Sequence, residues 1–304
     1  MKTPDRPGTG AASLSARAGA RARVPRLSTV LIHIVLVMAC AVTLVPFVWI
    51  ACACLKRNED FFSSLFLPVS DETGLIAWSR LTLSHFRQLL GDLGLGRALL
   101  NSIFLSSVTA LLASLFTAMG GFALACHTFK GRRLITVIVL GAVIVPAPLL
   151  LAPGYQLLYR LGLLDTYAGL ILPAIAPAFG VFLFRQAVLS SVPRSLLEAA
   201  RLDGCGEVRA FFSVALPLVR PMFGAFVLIV FIGAWNNYIS PQVVLQTPSK
   251  FPLSVAVANL KNTYYQDYGL LMAGAVISIV PVMGLFLLLQ RDFISGLTSG
   301  AVKG

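Results

Sequence analysis

The side chains with the most chemistry per unit length lie at 190–221, SSVPRSLLEAARLDGCGEVRAFFSVALPLVRP. This stretch holds Arg194, Arg201, Arg209 and Arg220, with Arg185 just before it, and Glu198, Asp203 and Glu207, yet long apolar runs flank it. Charges placed this way suit binding another molecule better than making or breaking bonds. The histidines His33, His85 and His127 have no carboxylate or serine at motif spacing, so no nucleophile–base pair is legible. An intramembrane serine protease would need a G-x-S-x serine inside one apolar segment and a histidine in another, and this arrangement is not found. The cysteines 40, 52, 54, 126 and 205 are odd in number, and none pairs with a histidine at ligand spacing. They read as small apolar packers. No G-x-x-x-x-G-K-[ST] stretch occurs, so the chain lacks a phosphate cradle and is expected to bind no ATP itself.

The elements that must position the charged stretch are mostly apolar. Of 304 residues, 57% are hydrophobic and 12% charged, against about 25% charged in soluble domains, and the mean hydropathy is +0.85. Residues 1–27 are rich in Arg, Ala, Gly, Ser and Pro without apolar periodicity, which predicts a disordered basic arm. A transit peptide is the competing reading. The apolar run at 29–55 is longer than a signal-peptide core and long enough to cross a bilayer. Further apolar segments at about 99–126, 134–156, 166–188, 218–240 and 269–290 are each near the ~20 residues a spanning helix requires.

Lys and Arg set the orientation. With the N-terminus inside, 16 of the 24 fall on the inner side and eight on the outer, while acids lean outward. The net charge of +12 is therefore mainly a topology signal and argues against nucleic acid. All seven tyrosines fall at predicted outer ends or outer loops, where amphipathic rings favour the interface. Ser102, Ser106, Ala110, Ser114 and Ala118 recur every four residues in the second segment, a small ridge suited to close helix approach. Prolines 146, 148 and 153, then 173 and 177, cluster in the third and fourth segments, and Pro281 lies in the sixth. Broken helices at membrane depth are tolerated where they are buried or line a cavity. No acidic residue lies deep in a segment, which disfavours a proton-coupled carrier.

Within 190–221, Pro193 predicts a first helical turn with Ser190 or Ser191 as cap, a helix over 194–203 and a stop at Gly204. A second helix is expected at about 206–215, with Val208, Phe211, Phe212 and Ala215 as one apolar stripe. Leu196, Leu197 and Ala200 give the first helix a similar stripe. Helices this short are marginal alone, so those faces must meet the bundle, the membrane or a partner.

Glu198-Ala199-Ala200, then Gly204, then Phe211-Phe212 and Leu216-Pro217, resembles the EAA loop of permease subunits of bacterial ABC importers, with Cys205 where alanine is usual. Thr82-Leu83, Asn101-Ser102, Phe129-Lys130-Gly131-Arg132, Trp235-Asn236-Asn237 and the tail at 296–304 resemble carbohydrate permeases of the maltose-permease G type. The resemblance covers about residues 28–304. It implies an all-α integral membrane protein of the bacterial inner or plasma membrane. The architecture would be that of a type I importer permease: six transmembrane helices, N-in and C-in. The expected parts are the arm at 1–27, a first span and outer loop at 28–98, a five-helix core at 99–290 with the coupling hairpin at 190–221, and a tail at 291–304. Implied partners are a second permease subunit, two ATPase subunits that bind the ATP, and an extracytoplasmic solute-binding protein. Leu196, Leu197, Glu198, Ala199, Ala200, Asp203, Gly204 and Pro217 are the expected ATPase-coupling residues. Asn236, Asn237 and Tyr238 are candidates for the substrate pathway, with interfacial anchoring and helix packing as the alternative for them. A six-span secondary transporter or channel, independent of a partner ATPase, is the other function these segments allow.

Overall fold

The computed structural model describes residues 26–70, 74–264 and 266–299, of which 26–28, 262 and 292–299 are described in backbone only. The basic arm at 1–25 and the end of the tail at 300–304 lie outside the described residues. The organising helices are α1 (Arg26–Ala53), α2 (Leu95–Cys126), α3 (Arg132–Ile144), α4 (Leu151–Arg160), α5 (Tyr167–Ile171), α6 (Ala178–Ser191), α7 (Arg194–Leu202), α8 (Glu207–Ala210), α9 (Arg220–Trp235), α10 (Ile239–Val244), α11 (Leu253–Thr263) and α12 (Tyr268–Ser299). Among the described residues there is no strand, only isolated bridges between Lys56 and Leu81 and between Val69 and Ile76.

Contacts divide the chain into 1–49 and 50–304. In the first unit, the described side chains of α1 are apolar on every face and exposed up to Phe47 and beyond. A helix hydrophobic all round belongs in lipid or against another protein.

Among the described residues, three helical stretches are long and apolar enough to cross a membrane unbroken: Thr29–Ala53, Leu95–Cys126 and Tyr268–Arg291. The segments expected as single spans at 134–156 and 166–188 are instead bent pairs. Arg132–Ile144 and Ala147–Arg160 meet at 101°, and Tyr167–Ala174 and Ala178–Ser191 at 42°. Proline stands at both breaks. Val145 leaves the helix with ψ 119° ahead of Pro146, because a proline ring clashes with a helical conformation in the residue before it. Pro177 is the N-cap of α6, with ψ 130°, and has no N–H to continue the preceding helix.

Helix α2 is the central post, packed against α6 and α9, and α9 packs in turn on α12. The predicted small ridge is its buried face: Ser102, Ser106, Ala110, Ser114 and Ala118 are all buried. Approach is close at Gly121, where a Cβ would come within 2.6 Å of the Arg185 backbone nitrogen and 2.7 Å of Phe184 Cβ. Small residues let backbones meet where apolar burial gives no drive, because lipid is as apolar as the core. Two cores result. One joins the Cys126 end of α2 to α6, the hairpin and the start of α9 through Phe122, Phe184, Leu197, Phe211 and Phe226. The other joins the Leu95 end of α2 to α9, α11 and α12 through Leu95, Trp235, Leu253, Leu260 and Leu270.

Candidate functional site

The hairpin begins where α6 stops. Pro193 itself is the N-cap of α7, with ψ 134°, and no side chain caps it. The expected serine cap is therefore corrected: Ser190 and Ser191 end α6, and the Ser190 hydroxyl donates to the Ala187 carbonyl at 3.0 Å. Gly204 closes α7 with φ +78°, where an L side chain is strained. The Gly204 N–H donates to the Arg201 carbonyl at 3.0 Å and the Cys205 N–H to the Ala200 carbonyl at 2.9 Å. These bonds satisfy carbonyls that the helix end leaves open.

The second half also differs from expectation. Instead of one helix at 206–215, α8 runs for a single turn and continues as a π turn at Phe211–Ala215. The stretch Glu207–Leu218 then meets α9 at 86°. The wider turn splits the predicted apolar stripe: Phe211 and Ala215 enter the core, while Val208 and Phe212 are exposed. Leu197 likewise departs from the expectation that it meets the ATPase, because it is 3% exposed and sits in the chain's own core. It anchors α7. The apolar atoms that α7 shows to the outside are those of Leu196, 46% exposed, and Leu202, 90% exposed. Glu198, Ala199, Asp203, Gly204 and Pro217 are exposed, and Ala200 is half-buried.

One carboxylate ties the hairpin together. Arg201 Nε donates to Glu207 Oε1 at 2.8 Å, a second guanidinium nitrogen donates to Oε2 at 3.2 Å, and His127 Nε2 lies 2.9 Å from Oε2. The Arg201 hydrogen bond, then the Arg201 and His127 charges, hold the Glu207 carboxyl below the ordinary glutamate range against some loss of solvent. His127 follows α2, so the link fastens both arms of the hairpin to the central post. Sequence spacing hides this contact, since 80 residues separate its ends.

At the opposite end of α2 the polar groups are clasps. Asp165, at φ +55°, accepts from the Gln246 and Thr247 N–H groups at 3.0 Å, the Thr247 hydroxyl at 2.6 Å and Lys250 Nζ at 2.8 Å. The Lys250 and Thr247 bonds hold its carboxyl well below the usual range. Asn101 Nδ2 donates to the Ser249 and Phe251 carbonyls at 3.0 Å, and the Leu253 N–H donates to Ser102 Oγ at 2.7 Å. The Asn101-Ser102 pair thus pins the loop before α11.

Between α2, α5 and α9 lies a cavity of about 300 Å³, lined among others by Ser102, Ser106, Thr109, Pro177, Gly233 and Asn237. The Ser106 hydroxyl is buried there without a hydrogen-bond partner among the described residues. A second cavity of about 430 Å³, beside α4, shares Asn237 and adds Ser240 and Pro173. Of the three pathway candidates only Asn237 lines these spaces; Asn236 and Tyr238 are exposed. Asn237 Oδ1 accepts from the Ser240 N–H at 3.2 Å, and its carbonyl accepts from the Ser254 hydroxyl at 2.9 Å. Trp235 is structural: Nε1 donates to the Ser278 carbonyl of α12 at 3.1 Å.

Residues 118–295, which include the hairpin and α9, match the family described as binding-protein-dependent transport system inner membrane component. The chain belongs to this family. As a binding-protein-dependent transport permease it is an inner-membrane component of an ABC importer, which fits its apolar helices. It is 41% identical over 227 residues to the arabinooligosaccharides transport system permease protein AraQ of Halalkalibacterium halodurans, covering 74% of this chain and 81% of that one. It is 32% identical to the trehalose transport system permease protein SugB of Mycobacterium tuberculosis, covering 86% and 93%. It is 28% identical to the lactose transport system permease protein LacG of Rhizobium radiobacter, covering 91% and 97%. In fold, this permease resembles a chain of the crystallised bacterial ABC transporter involved in import of the acidic polysaccharide alginate. That match has TM-score 0.75 at 23% identity and covers 89% and 98%.

Proposed function

We propose that this permease moves a saccharide across the membrane and is driven by a partner ATPase that grips the α7–α8 hairpin. The exposed face of that hairpin carries the reading: Leu196, Leu202, Glu198 and Ala199 point away from a core into which Leu197 and Phe211 are locked. A rigid elbow with a free apolar and acidic face transmits a push from outside the chain into α6 and α9. Ala200, Asp203, Gly204 and Pro217 shape the elbow: Gly204 supplies the left-handed turn, and Pro217 lies where the chain turns toward α9.

In this reading each bent pair counts as one crossing where it traverses the bilayer, six in all, with both termini and the hairpin in the cytoplasm. Residues 28–98 supply the first span and outer loop, 99–290 the core, and 291–304 the tail. The distribution of Lys and Arg supports that orientation. A second permease subunit, two ATPase subunits and an extracytoplasmic binding protein complete the machine. The chain performs no catalysis of its own. A saccharide is supported by relatives named for arabinooligosaccharides, trehalose and lactose. The cavities that share Asn237, with Ser102, Ser106 and Thr109 around one of them, offer hydroxyl and amide groups for such a solute.

The test is gentle extraction of the tagged chain, identification of what accompanies it, and uptake with the Glu198→Lys variant. An ATPase and a second permease are expected with the wild type. Glu198→Lys should insert normally and lose uptake. Uptake that continues when ATP is depleted and the ion gradient is intact would mark a carrier instead.

A further inference from the structure

Against the hairpin lies a small pocket, about 170 Å³, that shares Glu198 with the proposed coupling face. Its wall includes Arg132, Arg194 and Arg201, from three helix ends, over an apolar floor that includes Val188 and Leu189. Leu189 is 45% exposed, so the apolar floor runs out to the surface of the bundle. Cys126 lines the same pocket as the three arginines.

The negative charges nearby do not cancel this cluster. Arg201 is engaged by Glu207, and Glu198 is the one carboxylate in the wall. Among the described residues, the Arg132 guanidinium makes one long bond, 3.4 Å, to the Ala125 carbonyl. Lys130 and Arg133, both exposed, add charge on the same turn as Arg132. Arg132 and Arg194 are also the first residues of α3 and α7, neither of which has an acid in its first turn or a side-chain cap. Cations at helix starts are disfavoured by the helix dipole, and an anion between them relieves both.

We infer that this pocket holds the phosphate of an anionic phospholipid of the leaflet beside the hairpin, with an acyl chain laid along Leu189. Arg132 and Arg194 would contact the phosphate oxygens, Arg forming paired bonds that match a phosphodiester. Basic pockets between membrane helices are suited to such headgroups. The lipid then braces α7 against α3 and α6. The inference rests on the hairpin lying at the membrane surface, as the proposed function has it.

Lipid retention tests the inference independently of transport. The full chain, with the partners it brings, is purified from membranes and mixed with phosphatidylglycerol or phosphatidylcholine, and bound lipid is counted by native mass spectrometry. Wild type should retain phosphatidylglycerol in preference to phosphatidylcholine. The Arg132→Gln/Arg194→Gln pair should retain about tenfold less. Arg133→Gln, on the same turn outside the pocket, should match wild type and controls for charge alone. Equal phosphatidylglycerol retention by the double variant overturns the inference. So does full displacement of the lipid by inorganic phosphate, which would mark a free-anion site. If the lipid result holds but no ATPase accompanies the chain, the coupling reading fails and the lipid site stands.

Discussion

Glu207 serves two elements with one carboxylate, since Arg201 on α7 and His127 after α2 both reach it. Both links lie at the exposed surface of the hairpin, and together they set the angle at which that surface is presented. Glu207→Gln keeps the shape and removes the charge, so we expect normal insertion with reduced uptake and easier proteolysis between α7 and α8. Leu197 and Leu202 offer a sharper contrast, because they share a helix and a residue type but not an environment. Leu197→Ala should destabilise the hairpin by about 2–5 kcal/mol through the cavity it leaves. Leu202→Ala should change stability by no more than about 0.5 kcal/mol and still impair uptake. Thermal melting and uptake of the two variants side by side check both statements. Gly204→Asp meets open space at its Cβ and only backbone strain at φ +78°. It should therefore fold and insert, and loss of uptake in it would report on coupling.

Among the elements, α2 sets the spacing of the bundle. At Gly121 an added methyl group has backbone on its far side, so the neighbour cannot yield as a flexible side chain would. Gly121→Ala should lower stability by about 1–3 kcal/mol, read as a lower melting midpoint in detergent. Gly141 on α3, which meets nothing within 4 Å, should accept alanine without loss. At the other end, the Asp165 clasp holds the turn before α5 to the loop that follows α10. Its carboxyl is depressed in the folded chain, so the clasp is complete above the ordinary aspartate pKa of about 3.9 and is lost only as pH falls through the lower folded value. Hydrogen exchange at the Thr247 amide should stay slow at mildly acid pH. In Asp165→Asn, which lacks the charge that holds Lys250, it should be fast at every pH.

For the whole molecule, the decisive question is on which side the hairpin lies. Cys205 sits in its turn, partly exposed. With the other four cysteines replaced, a membrane-impermeant maleimide should label Cys205 in inverted vesicles and not in intact cells. Labelling from outside would remove the ATPase from reach of the hairpin and end the coupling proposal. The chain is an inner-membrane component, and Leu134 and Ile138 on α3 and Leu287 and Leu288 on α12 are exposed apolar side chains of the kind lipid accepts.

Composition, run length and charge bias were enough to read a helical membrane protein from the residues, because transfer of apolar runs into lipid depends on sequence alone. The small ridge from Ser102 to Ala118 and the glycine stop at 204 were legible for similar reasons, being local periodicity and local backbone freedom. Three features needed the fold. The π turn at Phe211–Ala215 decided which side chains of a single stripe were buried, and Leu197 turned inward because the core of α2 and α6 lay behind it. The Glu207–His127 and Asp165–Gln246 contacts join residues some 80 positions apart, and no local pattern encodes which distant groups a folded chain brings within 3 Å.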